Sequence, residues 1–211
     1  VNKNGDQAVY FWSFKGMDRI TNINTTGEIT TALFRTKDVA EVNMLRRAIL
    51  SEIDTYTIDI VIFQTNTSPR HDEVVALRLG QLVIDHTRFV PPAEGDLTIH
   101  IDVRGPLNFT TASIPELPFK YETPIVVLRE GHRIVCDCKI KRGQGKTHAK
   151  WRPISVFTFT EVEDGFQISF KGIGMMDGTT IIEQGIAKMP DAARRPPITI
   201  FSQPLIPYNM Q

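Results

Sequence analysis

Gly145-Lys146-Thr147 is the triplet in this chain that most invites a chemical reading, because a phosphate-binding loop ends in Gly-Lys-Thr and cradles phosphates with backbone amides and the lysine. That loop needs another glycine five residues before Gly145, where Ile140 stands. It also needs a helix N-terminus to follow, and Pro153 with a strand pattern follows here. A second candidate is Cys136 with Cys138. Two residues apart on a strand, they share a face with His132 and Ile134. A structural metal site takes about four ligands at compatible spacings, and the other histidines are scattered, so the pair reads as buried structural thiols. His71-Asp72-Glu73 carries acid–base side chains, yet neighbours on a helix diverge by about 100° and cannot converge on one atom. Asp72 and Glu73 instead suit a first helical turn, where the dipole favours acids. No Ser/His/Asp arrangement stands out, and no Asp-x-Asp-x-Asp run is present to hold Mg²⁺. The residue types point away from catalysis by this chain alone, and no cofactor or metal is expected.

The totals point the same way. The 211 residues carry 24 Lys plus Arg and 24 Asp plus Glu, a net charge of zero. A protein whose main task is gripping nucleic acid carries a basic excess, because phosphate neutralisation supplies most of its affinity. Despite a basic stretch at Lys139–Lys150, the balance favours protein partners, with nucleic acid met only indirectly. With 41% apolar residues the chain can bury a core. Two cysteines suit a reduced, intracellular protein that is not secreted. No apolar run approaches the roughly 18–20 residues of a membrane span.

Positioning elements follow from periodicity and punctuation. Ala8–Phe14 and Ile29–Phe34 read as strands with a turn-rich Thr21–Gly27 between them. Asp38–Ile53 is the clearest helix, with Asp38 as cap, Glu41 three residues on, and Val42, Leu45, Ile49 and Ile53 on one face. Ile58–Phe63 is a β-branched strand. Asn66–Pro69 opens a helix with Pro69 at its first position, running to about Leu79 and stopping at Gly80. Leu82–Ile84 and Leu97–Val103 read as strands, Leu107–Tyr121 as irregular around Pro115 and Pro118. Ile125–Leu128 and His132–Lys141 are strands, as are Ile154–Glu163 and Phe166–Phe170, which turn at Asp164-Gly165. Thr179–Met189 is a last helix, and residues 191–211 a Pro-rich extended tail. The irregular alternation of strands and helices predicts an α+β protein.

Three segments, in order, resemble one family. Asp38-Val-Ala-Glu-Val-Asn-Met-Leu-Arg-Arg-Ala-Ile-Leu-Ser-Glu52 resembles the N-x-L-R-R-x-L-L-S-E helix of the α-like subunits of multisubunit RNA polymerases. These comprise the archaeal D subunit, the third-largest subunit of eukaryotic RNA polymerase II and the bacterial α N-terminal domain. Asn66-Thr-Ser68, Asp72-Glu-Val and Arg78-Leu-Gly80 are similar to that family's N-T-S…D-E…R-L-G stretch. Gly143-Gln-Gly-Lys-Thr-His-Ala-Lys-Trp-Arg-Pro153 is similar to its G-x-G-K-x-H-A-K-W-x-P.

The resemblance implies an α-like dimerisation domain from residues 15–60 and 150–190, with a mostly β domain, 61–149, inserted between them. It implies a non-catalytic scaffold within a DNA-directed RNA polymerase, a nucleotidyltransferase complex. Such a subunit pairs with a smaller α-like subunit and docks two large catalytic subunits, with small zinc-containing assembly subunits as further partners. The motif positions Asn43, Leu45, Arg46, Arg47, Ile49, Arg78, Leu79, Gly80, Gly145, His148, Lys150 and Trp151 are then the candidate subunit interface. This insert lacks the zinc or iron–sulfur cysteines of many relatives, Ala76-Leu77 stands where the family has His, and Gln81-Leu-Val replaces L-I-P. The last helix is short, which implies a reduced dimerisation surface. Such divergence suits the polymerase of a large DNA virus. The alternative is a free-standing α-like binding module that regulates transcription.

Overall fold

The computed structural model of the chain describes residues 19–91 and 97–189; the strand expected at 8–14 and the tail 191–211 lie outside them. The described residues run β1 (Ile20–Thr26), β2 (Ile29–Phe34), α1 (Val39–Ser51), β3 (Asp54–Asn66), α2 (Asp72–Gly80) and β4 (Leu97–Arg104). There follow β5 (Leu107–Thr110), β6 (Pro124–Leu128), β7 (Arg133–Gln144), β8 (Ile154–Val162), β9 (Gly165–Gly172) and α3 (Gly178–Lys188). The result is a mostly β, mixed α+β fold with two apolar cores.

The first core is discontinuous in sequence. Antiparallel strands in the order β1-β2-β9-β8 make its sheet. Ala32 and Phe34 of β2 face inward beside Ile168 and Phe166 of β9, as a period of two requires. Val42, Leu45 and Ile49 of α1 and Ile181, Ile182 and Ile186 of α3 complete the core, with Gly185 set against Ile49 and Leu45. Asp38 caps α1 by accepting from the Ala40 N–H at 2.8 Å. Thr36 links that cap to its surroundings: its Oγ1 accepts from the Asp38 N–H at 3.1 Å and donates to the Glu41 carboxylate at 2.5 Å. Glu41 also receives the Arg19 guanidinium, which fixes the start of α1 to the start of β1.

The second core is built from residues 58–140. Its sheet, β3-β7-β4, is antiparallel, and β5-β6 forms a separate two-stranded ribbon. Val75 and Leu79 of α2 and Phe109, Ile125 and Leu128 of the ribbon close over Ile134, Cys136 and Cys138 of β7.

Several local expectations are corrected. Thr21–Gly27 is not a turn. Residues 20–26 form β1, and the reversal is confined to Gly27-Glu28, where Gly27 adopts φ +62°. The threonines and asparagines misread as turn formers lie on an exposed edge strand, where no apolar side chain is demanded. Pro69 is not the first helical residue; α2 starts at Asp72. The Asn66 side chain accepts from the Ser68 N–H and donates to the Arg70 carbonyl and the Asp72 carboxylate, so residues 67–70 are held as a turn. Leu107–Thr110 is a strand because it has β6 to pair with. Leu82–Ile84 shrinks to one bridge, Ile84 with Phe119. The β8–β9 reversal falls at Glu163-Asp164, with Gly165 already paired to Val162.

Candidate subunit-interface site

The segment from Gly143 to Pro153 leaves the end of β7 and enters β8, so it crosses from one core to the other. Its residues grip the opposite crossing, from α1 into β3. The Trp151 indole lies on Gly143, where an added Cβ would come within 2.3 Å of the ring. Gly145 sits on the Leu50 carbonyl, which an added Cβ would approach to 2.1 Å. The Lys146 N–H donates to the Ser51 carbonyl at 3.1 Å, and its ammonium pairs with Glu52 at 2.7 Å. Gln144 Nε2 donates to the Glu52 carbonyl at 3.1 Å and to Asp54 Oδ1 at 2.8 Å. Thr55 Oγ1 donates to the Trp151 carbonyl at 2.8 Å.

The last turn of the segment is a single 3-10 turn, Ala149–Trp151. His148 caps it, Nδ1 accepting from the Lys150 N–H at 3.1 Å. Lys150 is mostly buried. Its ammonium donates to Asp59 Oδ1 at 2.7 Å and the Ile58 carbonyl at 3.3 Å, and stands 4.6 Å from the Trp151 ring centroid. Asp54 joins β7 and α3 to this joint through Arg142 at 2.7 Å and Lys188 at 2.9 Å. Partial burial would raise the Asp54 pKa, but hydrogen bonds from Lys188, Arg142 and Gln144 together outweigh it and hold the carboxyl below its ordinary range.

The twelve candidate residues therefore divide by place. Gly145, His148, Lys150 and Trp151 form the clasp just described. Arg78, Leu79 and Gly80 end α2, where Gly80 packs under the same Ile58 carbonyl that Lys150 holds, and Arg78 donates to the Ile125 carbonyl at 2.5 Å. Asn43, Leu45, Arg46, Arg47 and Ile49 lie on α1. The clasp and the α2 end thus converge on the stretch from Leu50 to Asp59, which fixes how α1 leads into β3.

Within this chain, part of the set lies beneath the surface. Leu45, Ile49 and Leu79 have no exposed surface, and Trp151 is 7% exposed; all four face this chain's own cores. Lys150 is committed to Asp59, and Gly145 to Leu50. These residues shape the surface from beneath. Of the candidate residues on α1, Arg47 is exposed and Asn43 and Arg46 are half-buried. Asn43 Nδ2 donates to the Val39 carbonyl, and its Oδ1 accepts from Arg46 Nε, both at 3.3 Å. Among the described residues neither Arg46 nor Arg47 has a carboxylate partner.

The cysteines sit inside the second core with their sulfurs 4.0 Å apart. Hydrogen bonding with Cys136 and then burial push the Cys138 thiol up, which keeps it protonated and inert. Among the described residues no group of three or more His, Cys, Asp or Glu could hold a metal ion.

A second tie between the cores had no sequence signal, since its partners are 93 residues apart. Tyr121 Oη donates to Glu28 Oε1 at 2.5 Å, and Glu28 also pairs with Lys171 at 3.4 Å. Beside it the His86 N–H donates to the Met175 carbonyl at 2.8 Å. The Glu28 carboxylate, and secondly burial, push the Tyr121 phenol up to about 12. A raised folded-state pKa means that this tie stabilises fully below the ordinary phenol value near 10 and is lost as pH rises through about 12. Tyr121→Phe is accordingly expected to lower stability at and below about pH 8, where the tie is intact, and to flatten the fall across that window, so that the two proteins converge toward about pH 12. Urea midpoints measured at intervals from pH 8 to 12 check this; parallel curves for the two proteins refute the tie.

No protein-family model matches the chain. It is similar to archaeal proteins described as DNA-directed RNA polymerase subunit Rpo3. The Methanocaldococcus jannaschii protein is 31% identical over 149 residues, covering 68% of this chain and 76% of that one. The Thermococcus kodakarensis protein is 35% identical over 131 residues, 57% of this chain and 51% of that one. The Pyrococcus horikoshii protein is 32% identical over 148 residues, 65% and 57% of the two. The chain belongs to the Rpo3 family of DNA-directed RNA polymerase subunits. It spans little more than half the length of the Thermococcus and Pyrococcus relatives.

Proposed function

We propose that this chain is a non-catalytic assembly subunit, one that pairs with a smaller α-like subunit and docks the two large catalytic subunits. In this reading the first core is the dimerisation domain, from residues 15–60 and 150–190, and the second is the inserted domain, 61–149. The discontinuous make-up of the first core and the continuous make-up of the second support that division.

The observation that carries the reading is the outer row of α1. Arg46 and Arg47 offer guanidinium donors to no carboxylate of the described chain, on a helix whose opposite face is fully buried. Arginine pairs bidentately with carboxylates and is enriched where subunit contacts carry most energy. The clasp and the end of α2 then act as bracing, since they set the exit of that helix.

The test is purification of the native complex through a tag on this chain. Two large subunits and a small α-like partner are expected in stoichiometric amounts, together with RNA synthesis. Recovery of the chain alone, without polymerase activity, overturns the proposal.

A further inference from the structure

The ribbon β5-β6 and the turn before α2 border an open groove of about 570 Å³ that the assembly surface on α1 does not include. Phe109, Pro124 and Val126 line its floor, and Val127, 60% exposed, stands at its lip. Two guanidiniums, Arg70 and Arg78, reach its rim. Arg78 uses one donor on the Ile125 carbonyl. Among the described residues neither arginine pairs with a carboxylate, whereas Arg19, Arg88, Arg104, Arg133 and Arg142 all do. An apolar groove of this volume is large enough for one or two bulky side chains, and its rim carries positive charge with no carboxylate among the described residues that line it.

We infer that this groove is a docking site for an acidic, apolar polypeptide segment of another polymerase subunit. A large apolar side chain fills the floor, and an Asp or Glu beside it takes Arg70 and the remaining donors of Arg78. In an extended segment those two side chains are two positions apart, since alternate residues share a face. Charge selects the class of occupant. A phosphate backbone needs a track of cations, and here there are two above an apolar floor on a chain of zero net charge. The inference rests on the proposed function in one respect, that the occupant belongs to the same polymerase.

The experiment uses the assembled polymerase with Val127 replaced by a benzophenone amino acid, and a second preparation with the same group at Val39, at the start of α1 and outside the arginine pair. Both positions are exposed, so the fold tolerates them. Irradiation at 127 is expected to join this chain to a subunit segment holding an acid near an aliphatic or aromatic residue. Adding Arg70→Glu is expected to lower that yield by at least about tenfold, because like charges then face each other. Arg70 holds the turn through its backbone carbonyl, so the reversal leaves the turn intact. Cross-linking from 39 with none from 127 overturns the groove while the assembly reading stands. An adduct to nucleic acid, or a protein adduct indifferent to Arg70→Glu, also overturns it. If neither position cross-links, the assembly reading fails and the groove proposal with it.

Discussion

Trp151→Ala is expected to lower the unfolding free energy by about 3–5 kcal/mol, the range for truncating a large buried aromatic. Most of the ring is buried, one face rests on the Gly143 backbone, and the Lys150 ammonium stands against it. Few neighbours can collapse into the space, because Gly143 has no side chain and Lys150 is held by Asp59. A double-mutant cycle makes the prediction specific. Gly143→Ala in the wild-type chain drives a methyl to within 2.3 Å of the indole, so ring or backbone must move. Overpacking of this kind costs about 1–3 kcal/mol. In the Trp151→Ala background the obstacle is gone, and the same substitution is expected to cost under about 0.5 kcal/mol. Urea denaturation of the four proteins gives the coupling. Additivity within about 0.5 kcal/mol means that Trp151 does not seat on Gly143.

That pair shows where sequence reading succeeds and where it stops. Helix α1 was legible because every signal was local: Asp38 before the first turn, and apolar positions at helical spacing. The family was legible because three motifs kept their order, and the relatives agree. The role of the motif glycines was not legible. Gly145 is glycine because the Leu50 carbonyl, 95 positions earlier in the chain, occupies the place of a side chain. No local pattern encodes that approach. Leu45, Ile49, Leu79 and Trp151 were placed at an interface because motif membership does not separate residues that touch a partner from residues that support those that do. Solvent exposure separates them. The tie from Tyr121 to Glu28 was invisible for the same reason as the Leu50–Gly145 contact. The edge strand β1 was missed because exposure removed the apolar alternation by which strands are recognised.

Exposure also governs the largest expected effect on assembly. The double reversal Arg46→Glu with Arg47→Glu is expected to weaken incorporation into polymerase by about two orders of magnitude. Placing acids where a partner presents carboxylates costs several kcal/mol, and about 3 kcal/mol corresponds to roughly a hundredfold. The isolated chain should hardly notice. Arg47 is exposed, and Arg46 loses only a 3.3 Å contact to Asn43 on its own helix. Substitutions of that kind stay within about 0.5 kcal/mol. Leu45→Ala provides the contrast. It empties a fully buried site on the same helix and is expected to cost about 2–5 kcal/mol of folding stability. Thermal melts of the separate chains, set beside subunit stoichiometry after co-expression, distinguish a lost contact from a lost fold. The reversed protein should melt with the wild type and fail to assemble, whereas Leu45→Ala should melt early. If the reversed protein enters the polymerase normally, α1 is not the pairing surface, and the reading of this chain as a free-standing regulator gains what the scaffold reading loses.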